Sequence, residues 1–200
     1  MSSIVSDKVI TVDDFFSPDE CDTYVSIIDG NRRDPNRKFA SGTTFYNDVI
    51  KDARLAWDLY GRATRWLVGV TSAAPYITMA RFVQGEDFGI HTDTGTIDPR
   101  RREETKYTML IYLNEGYTGG KTLFYNNDFT LAATVTPKKG MAVIFDIDTL
   151  HSAEKVETGA KYWIGCDLMG KISPERSERI DGLKELLAVT GATVSDSEPY

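Results

Sequence analysis

After Pro75 the chain changes character, and one short β-type run follows another, each closed by Gly, Pro or charged residues. The runs are ITMARFV, FGIHTD, YTMLIYLN, KTLFY, LAATVTP, MAVIFD, LHSAEKV and KYWIGCDLM. Such runs packed into about 95 residues have the spacing of a β-sandwich or barrel. The run Thr108 to Asn114 alternates. Met109, Ile111 and Leu113 form one face, fit to pack beneath helices. Thr108, Leu110, Tyr112 and Asn114 form the other, whose polar groups suit the lining of a cavity.

The chain before Pro75 reads differently. Val9 to Phe16 is a short strand entering a turn, and Ser17-Pro18-Asp19-Glu20 opens a helix. Ser17 is placed to cap it, Pro18 suits the first helical position, and Glu20 completes a capping box. Tyr24, Ile27 and Ile28 follow at helical spacing, and Gly30 ends the segment. Residues 31–47 are polar and rich in turn formers, which predicts a long loop. A second helix is expected from Asp48 to Val68, with Ile50, Leu55, Trp57, Leu59 and Tyr60 as its apolar stripe and Trp66 and Leu67 extending it. Beyond Lys171 the chain turns charged. Ser173-Pro174-Glu175 is read as the start of a C-terminal helix carrying Ile180, Leu183, Leu186 and Leu187, and the last residues as an acidic tail. One structural domain is expected: N-terminal support helices and edge strands (1–75), a β core (76–170), and a C-terminal helix and tail (171–200).

Composition narrows the function classes. A hydrophobic fraction of 41% and a charged fraction of 26% are ordinary for a soluble globular protein. No apolar run approaches the roughly 20 residues that span a bilayer. The N-terminus lacks a basic start followed by an apolar stretch, so a cytoplasmic location is expected. Two cysteines without a Cys-x-x-Cys spacing read as buried thiols. A net charge of −7 disfavours wrapping a nucleic-acid backbone.

Only two histidines are present. One lies in His91-Thr92-Asp93, where strand residues i and i+2 face the same way and can offer a nitrogen and a carboxylate oxygen to one point. The other, His151, lies on a separate predicted strand. Two imidazoles and one carboxylate on one face of a metal leave the opposite face open, which suits non-haem iron(II). Zinc can use the same three side chains with water in a fourth position.

The surrounding segments carry a resemblance. RFVQGEDFGIHTD, YTMLIYLNEGYTGGKTLFY, VTPKKGMAVIFD and HSAEKVETGAK occur in order from Ile77 to Met169. Together they resemble the catalytic domain of the prolyl 4-hydroxylase-like iron(II)/2-oxoglutarate dioxygenases. The resemblance implies a double-stranded β-helix, or jelly roll, with flanking helices. It implies iron(II) on His91, Asp93 and His151, and 2-oxoglutarate and O2 as cosubstrates, with ascorbate re-reducing the iron. Lys161, ten positions after His151, is implied to anchor the distal carboxylate of 2-oxoglutarate. A buried carboxylate without a cation or donors is costly, so that role is chemically sound. Tyr112 and Thr122 match further cosubstrate-contacting positions. Two departures stand out. Phe82 occupies a place where many members have a tyrosine; its ring can line the pocket but donates no hydrogen bond. Asp167 stands where several peptidyl-prolyl hydroxylases carry a tryptophan.

The expected reaction is hydroxylation of a substrate C–H bond coupled to decarboxylation of 2-oxoglutarate. A prolyl residue in a peptide is the first expected substrate and a free amino acid or other small molecule the second. A non-catalytic jelly-roll binding protein is the reading from another class, and the intact triad with Lys161 speaks against it. Basic residues cluster at Arg32, Arg33, Arg37 and Lys38 and at Arg100, Arg101 and Arg102. These are either solvated loops, or two lids (31–47 and 94–106) at the cavity mouth that would favour a substrate with acidic groups.

Overall fold

The computed structural model describes residues 2–6, 8–30, 36–38, 44–174, 177 and 178. Strands β1 (Ser2–Ser6) and β2 (Val9–Val12) pair antiparallel and lead into helix α1 (Pro18–Gly30). The helix starts on the expected capping box. The Ser17 amide donates to Glu20 Oε2 at 2.8 Å, and the Glu20 amide donates to Ser17 Oγ at 3.3 Å.

The stretch expected to be a long loop contains two strands instead. β3 (Asn36–Lys38) pairs with β4 (Thr44–Lys51), which buries Phe45 and Tyr46. Phe45, Tyr46, Val49 and Ile50 are aromatic and β-branched, and they fit a pleated surface better than a loop or a helix. The second helix is therefore shorter than expected. α2 (Ala53–Ala63) begins only after Asp52, whose carboxylate caps the Arg54 and Leu55 amides at 3.0 and 2.9 Å. Asp48 and Ile50 belong to the strand before it.

Beyond α2 the chain is β-structure. β5 (Val70–Val83), β6 (Phe88–His91), β7 (Ile97–Asp98) and β8 (Glu103–Tyr112) come first. β9 (Thr118–Gly119), β10 (Thr122–Tyr125), β11 (Leu131–Val135) and β12 (Ala142–Asp146) follow. β13 (His151–Ala153), β14 (Val156–Thr158) and β15 (Ala160–Lys171) complete the set. The run expected as one strand around His151 is thus broken into β13 and β14. The major sheet runs β1-β2-β12-β8-β15-β5-β4-β3, with β7 on β8; the minor sheet runs β11-β10-β13-β6; β14 and β9 pair separately. This is the expected jelly roll. N-terminal strands are built into it on both sides, since β2 pairs with β12 and β4 with β5.

Alternation decides which residues face which layer. Met109 and Ile111 on β8, with Leu113 just beyond its end, pack with Phe15, Phe16, Ile28 and Leu59 under the helices. Tyr112 points the other way and joins Val143, Phe145, Phe124 and Val135 between the two sheets. Both faces of β12 are buried, so Ala142 and Ile144 serve the helix layer while Val143 and Phe145 serve the inter-sheet layer. The turn before β12 requires its glycine. Gly140 has φ 79°, and a Cβ there would lie 2.4 Å from the Phe16 carbonyl oxygen. Its own carbonyl accepts from the Phe15 and Phe16 amides, which ties the start of α1 to the sheet.

Cys21 and Cys166 are free and buried, as expected. Among the described residues no helix is long and apolar enough to cross a membrane. From residue 179 on, the expected C-terminal helix and tail lie outside the described residues.

Arg62 fastens the helices to each other. It bonds Glu20 Oε1 at 2.6 Å, the Phe15 carbonyl at 3.2 Å and Asp58 Oδ2 at 2.9 Å. The Arg62 hydrogen bond is the main reason the Glu20 carboxyl falls to about 2 from 4.5. This contribution is fully present above pH 4.5 and is lost as pH falls toward about 2. The pair is partly exposed, so Arg62→Ala should cost only about 1 kcal/mol. Urea unfolding across the acid range should show wild type losing this increment on acidification while the variant does not. Parallel pH profiles would contradict it.

Candidate active site

His91 ends β6 and His151 begins β13, and the two are direct cross-strand partners. Strand spacing alone brings such residues close, and the ring centroids are 4.2 Å apart. Asp93 arrives by a different route from the one expected. β6 stops at His91, so the i, i+2 facing of a strand does not place the carboxylate. Thr108 does so from β8 in the other sheet, donating its hydroxyl to Asp93 Oδ2 at 2.6 Å. Asp93 Oδ1 is then left 3.6 Å from His91 Nε2 and 3.8 Å from His151 Nε2. One ligand atom from each residue lies within 4.8 Å of the others. That spacing suits a single ion at bond lengths of about 2 Å.

Both imidazoles are held by their far nitrogens. His91 Nδ1 lies 2.8 Å from the Gly89 carbonyl oxygen, and His151 Nδ1 lies 2.9 Å from that of Thr149. With Nδ1–H donated to a carbonyl, each Nε2 keeps its lone pair for a metal. Phe88 packs against the His91 ring and Phe145 against the His151 ring. Burial lowers the His151 pKa despite the nearby Asp93 carboxylate, which favours the neutral ring that ligation needs. Burial pushes the Asp93 carboxyl up, but the two imidazoles beside it and the Thr108 hydroxyl bring it below its ordinary value. The site is built to hold positive charge between the three side chains.

The triad lies in the wall of a cavity of about 480 Å³, and Lys161, Thr122 and Phe82 line the same cavity. Lys161 is only 2% exposed. Its ammonium donates to the Gly120 carbonyl at 2.7 Å and lies 5.1 Å from the Tyr112 ring and 5.9 Å from the Phe82 ring. An ammonium has three donors, and among the described residues no carboxylate pairs with this one. Burial pushes its pKa down to about 7, with Glu154 offsetting little of the shift. A ligand carboxylate would restore the charged form and take the remaining donors. The residues present therefore fit iron(II) at one part of the cavity and an acid-ended cosubstrate at another.

Tyr112 does not itself line the cavity. It is fully buried, and its hydroxyl shares a 2.7 Å hydrogen bond with Thr122 Oγ1. Burial pushes its phenol pKa up, so it stays neutral. Asn114 has a role that the alternation of β8 did not disclose. Its Nδ2 donates to the Ala160 carbonyl at 2.7 Å, and its Oδ1 accepts from the Tyr162 amide at 2.8 Å. It thus clamps the backbone on both sides of Lys161.

The arginines lie elsewhere. Residues 94–106 are not one long loop, because β7 pairs with the start of β8 as a hairpin. The Arg100 and Arg101 amides bond Asp98 Oδ1 at its tip. Arg100 and Arg101 line a second depression that meets the metal cavity at Tyr76 and Thr96; Arg102 lines neither. The cavity wall also contains Asn47, Tyr76, Trp163 and Asp167. Asn47 was hidden by reading β4 as loop. Asp167 Oδ2 accepts from Thr105 Oγ1 at 3.0 Å and from Thr96 Oγ1 at 3.3 Å.

Residues 77–166 match the profile of the 2OG-Fe(II) oxygenase superfamily. No curated protein sequence matches the chain. Solved structures share its fold. A viral collagen prolyl hydroxylase from Paramecium Bursaria Chlorella virus-1, in complex with 2OG, is 18% identical with a TM-score of 0.60, over 84% of this chain and 98% of that one. A Pseudomonas putida prolyl-4-hydroxylase is 16% identical with a TM-score of 0.62, over 83% and 94%. A Trichoplax adhaerens prolyl hydroxylase, bound to a hypoxia inducible factor oxygen degradation domain peptide fragment, is 14% identical with a TM-score of 0.61, over 88% and 87%.

Thr108→Val keeps the shape of the side chain but releases Asp93. It should weaken Mn(II) binding about 10- to 100-fold, while Asp93→Ala and His151→Ala should remove it. Titration followed by electron paramagnetic resonance reads this directly. Wild-type affinity in Thr108→Val would show that the hydroxyl does not orient the carboxylate.

Proposed function

We propose that the chain is a 2OG-Fe(II) oxygenase, as the profile match over residues 77–166 supports, and that it hydroxylates a prolyl residue in a peptide. One observation carries the cosubstrate side of this reading: Lys161 is a buried amine without a counter-ion among the described residues, in the same cavity as two histidines and an aspartate. In the proposed roles His91, Asp93 and His151 hold the iron. Lys161 and the Thr122 hydroxyl receive the distal carboxylate of 2-oxoglutarate. Tyr112 orients Thr122, Asn114 fixes the strand that presents Lys161, and Phe82 supplies an apolar wall. Iron(II) with 2-oxoglutarate and O2 supplies the oxidising power, placing one oxygen atom in succinate, released with carbon dioxide, and the other in the substrate C–H bond. The chain itself binds, orients and excludes water, and no side-chain general base is needed.

A prolyl substrate is supported by three of the similar structures, which are prolyl hydroxylases, one holding a peptide. Phe88, Tyr76 and Trp163 give the cavity aromatic walls that suit a saturated ring. The second depression, contiguous at Tyr76 and Thr96, offers a path for the flanking chain. Acidic residues there would meet Arg100 and Arg101.

Lys161→Ala should raise the 2-oxoglutarate requirement while leaving metal affinity in place. Loss of a charge-assisted contact to a buried partner costs about 2–5 kcal/mol, or roughly a 30- to several-thousand-fold weakening. An unchanged requirement in succinate assays would remove Lys161 from the site. For the substrate, proline peptides with acidic flanks should gain one oxygen atom by mass spectrometry when iron(II), 2-oxoglutarate and ascorbate are supplied. Changing Arg100, Arg101 and Arg102 together to Ala should weaken their use, more at low salt than at high. No oxidised proline in any peptide would reject the prolyl assignment.

A further inference from the structure

Charge in the assembled cavity is unevenly satisfied. Iron(II), Asp93, dianionic 2-oxoglutarate and Lys161 have formal charges that cancel. Asp167 then remains as a carboxyl group in the cavity wall with no opposite charge beside it among the described residues. Burial and the Asp93 carboxylate push its pKa up, a shift that a cation beside it would reverse. Its carboxylate is held asymmetrically. Thr105 and Thr96 both donate to Oδ2, and no described residue donates to Oδ1. The two threonines flank the β7–β8 hairpin and are themselves tied together, the Thr96 amide donating to Thr105 Oγ1 at 2.7 Å. Asp167 is therefore oriented by its neighbours, with one oxygen left over.

Asn47 Oδ1 on β4, also in the cavity wall, is buried and has no hydrogen-bond partner among the described residues. Asn47 is level with Trp163 across β5, two strands over and four residues along from Asp167, too far for one nitrogen to meet both. The free oxygen of Asp167 by itself calls for a donor that is cationic. The arginines of the neighbouring depression do not change this, since neither Arg100 nor Arg101 lines the metal cavity.

We infer that the substrate brings a cationic nitrogen into the metal cavity, and that Asp167 receives it. This rests on the oxygenase reading above and deepens its substrate class. For a prolyl peptide the cation has two sources: a basic side chain next to the proline, or an unblocked prolyl nitrogen at the peptide N-terminus. Asp167 is in this reading a specificity-determining residue, and it takes no part in holding the iron.

The test uses the protein loaded with Mn(II) and 2-oxoglutarate without oxygen, and calorimetry as the readout. The probes are acetyl-Pro-norleucine-amide, which is neutral, acetyl-Pro-Lys-amide and Pro-norleucine-amide, which carry the two kinds of cation, and n-butylamine, which has no proline. At least one cationic peptide should bind about 10-fold or more tightly than the neutral one. Asp167→Asn, which keeps the shape and an acceptor for the threonines, should bring the two within about twofold while Mn(II) affinity stays at the wild-type value. Equal binding of cationic and neutral peptides by wild type, or equal loss of both in Asp167→Asn, overturns the inference. So does a failure of every cationic probe to bind. Mass analysis of the same peptides with iron(II) and oxygen separates the two readings. Tight binding of a cation, n-butylamine included, without oxidation of any proline rejects the prolyl assignment and keeps the Asp167 role. Equal oxidation of all three peptides does the reverse.

Discussion

The Thr108 hydroxyl reaches from one sheet to a carboxylate carried by the other, and the metal centre depends on that contact. His91 and His151 are brought together by simple strand pairing within the minor sheet. Asp93, beyond the end of its strand, has no such constraint, and the 2.6 Å hydrogen bond from β8 supplies it. The contact exists only if the two sheets face each other at the right separation and register. Val143, Phe145, Phe124 and Tyr112 fill the space that sets this separation. Met109, Ile111 and Ile144 anchor the other face of the same strands under α1 and α2. The helix layer is thus connected to the metal site through alternate residues of β8 and β12.

The remainder of the cavity follows from charge. Lys161 is buried at an energetic cost that the fold does not offset by itself, since only the Gly120 carbonyl and two aromatic faces meet its ammonium. Asn114 and the glycine-rich turn at Gly119 and Gly120 hold it in place, so its position does not depend on a ligand. A buried cation at one part of the cavity and two imidazoles around one carboxylate at another fit the dianion and the metal that the proposed function calls for. Asp167 adds a third, anionic, feature to the wall. Charge in this cavity is distributed by position, and the overall acidity of the chain has little bearing on it.

Much of this was readable in the chain. Strand periodicity after Pro75 disclosed the jelly roll, and the alternation of Thr108 to Asn114 puts Met109, Ile111 and Leu113 under the helices and Thr108 and Leu110 in the cavity wall, whereas Tyr112 and Asn114 do not line it. Residue types with strong local signatures, such as the Ser17–Glu20 capping box, were also legible. The errors fell where local polarity competed with long-range pairing. Asn47, Asp48 and Lys51 interrupt the apolar residues of β4, so its local pattern reads as loop and helix, yet its place is set by pairing with β5, distant in sequence. The hairpin at β7 is short, and its pairing with β8 was hidden by the arginine-rich tip. The same limit hid the partners of Asp93, Lys161 and Asp167. Thr108, Asn114 and Thr105 are ordinary strand residues in sequence, and only tertiary placement gives them their tasks.

The most direct test is stoichiometric. Purified protein is supplied with iron(II) and 2-oxoglutarate, and oxygen consumption and succinate release are followed together. The triad and Lys161 predict equimolar oxygen use and succinate formation, dependent on iron and slow in the absence of the prime substrate. No succinate above the iron-free control, together with tight zinc binding at the same three side chains, would contradict the assignment and leave a zinc site on a jelly-roll scaffold.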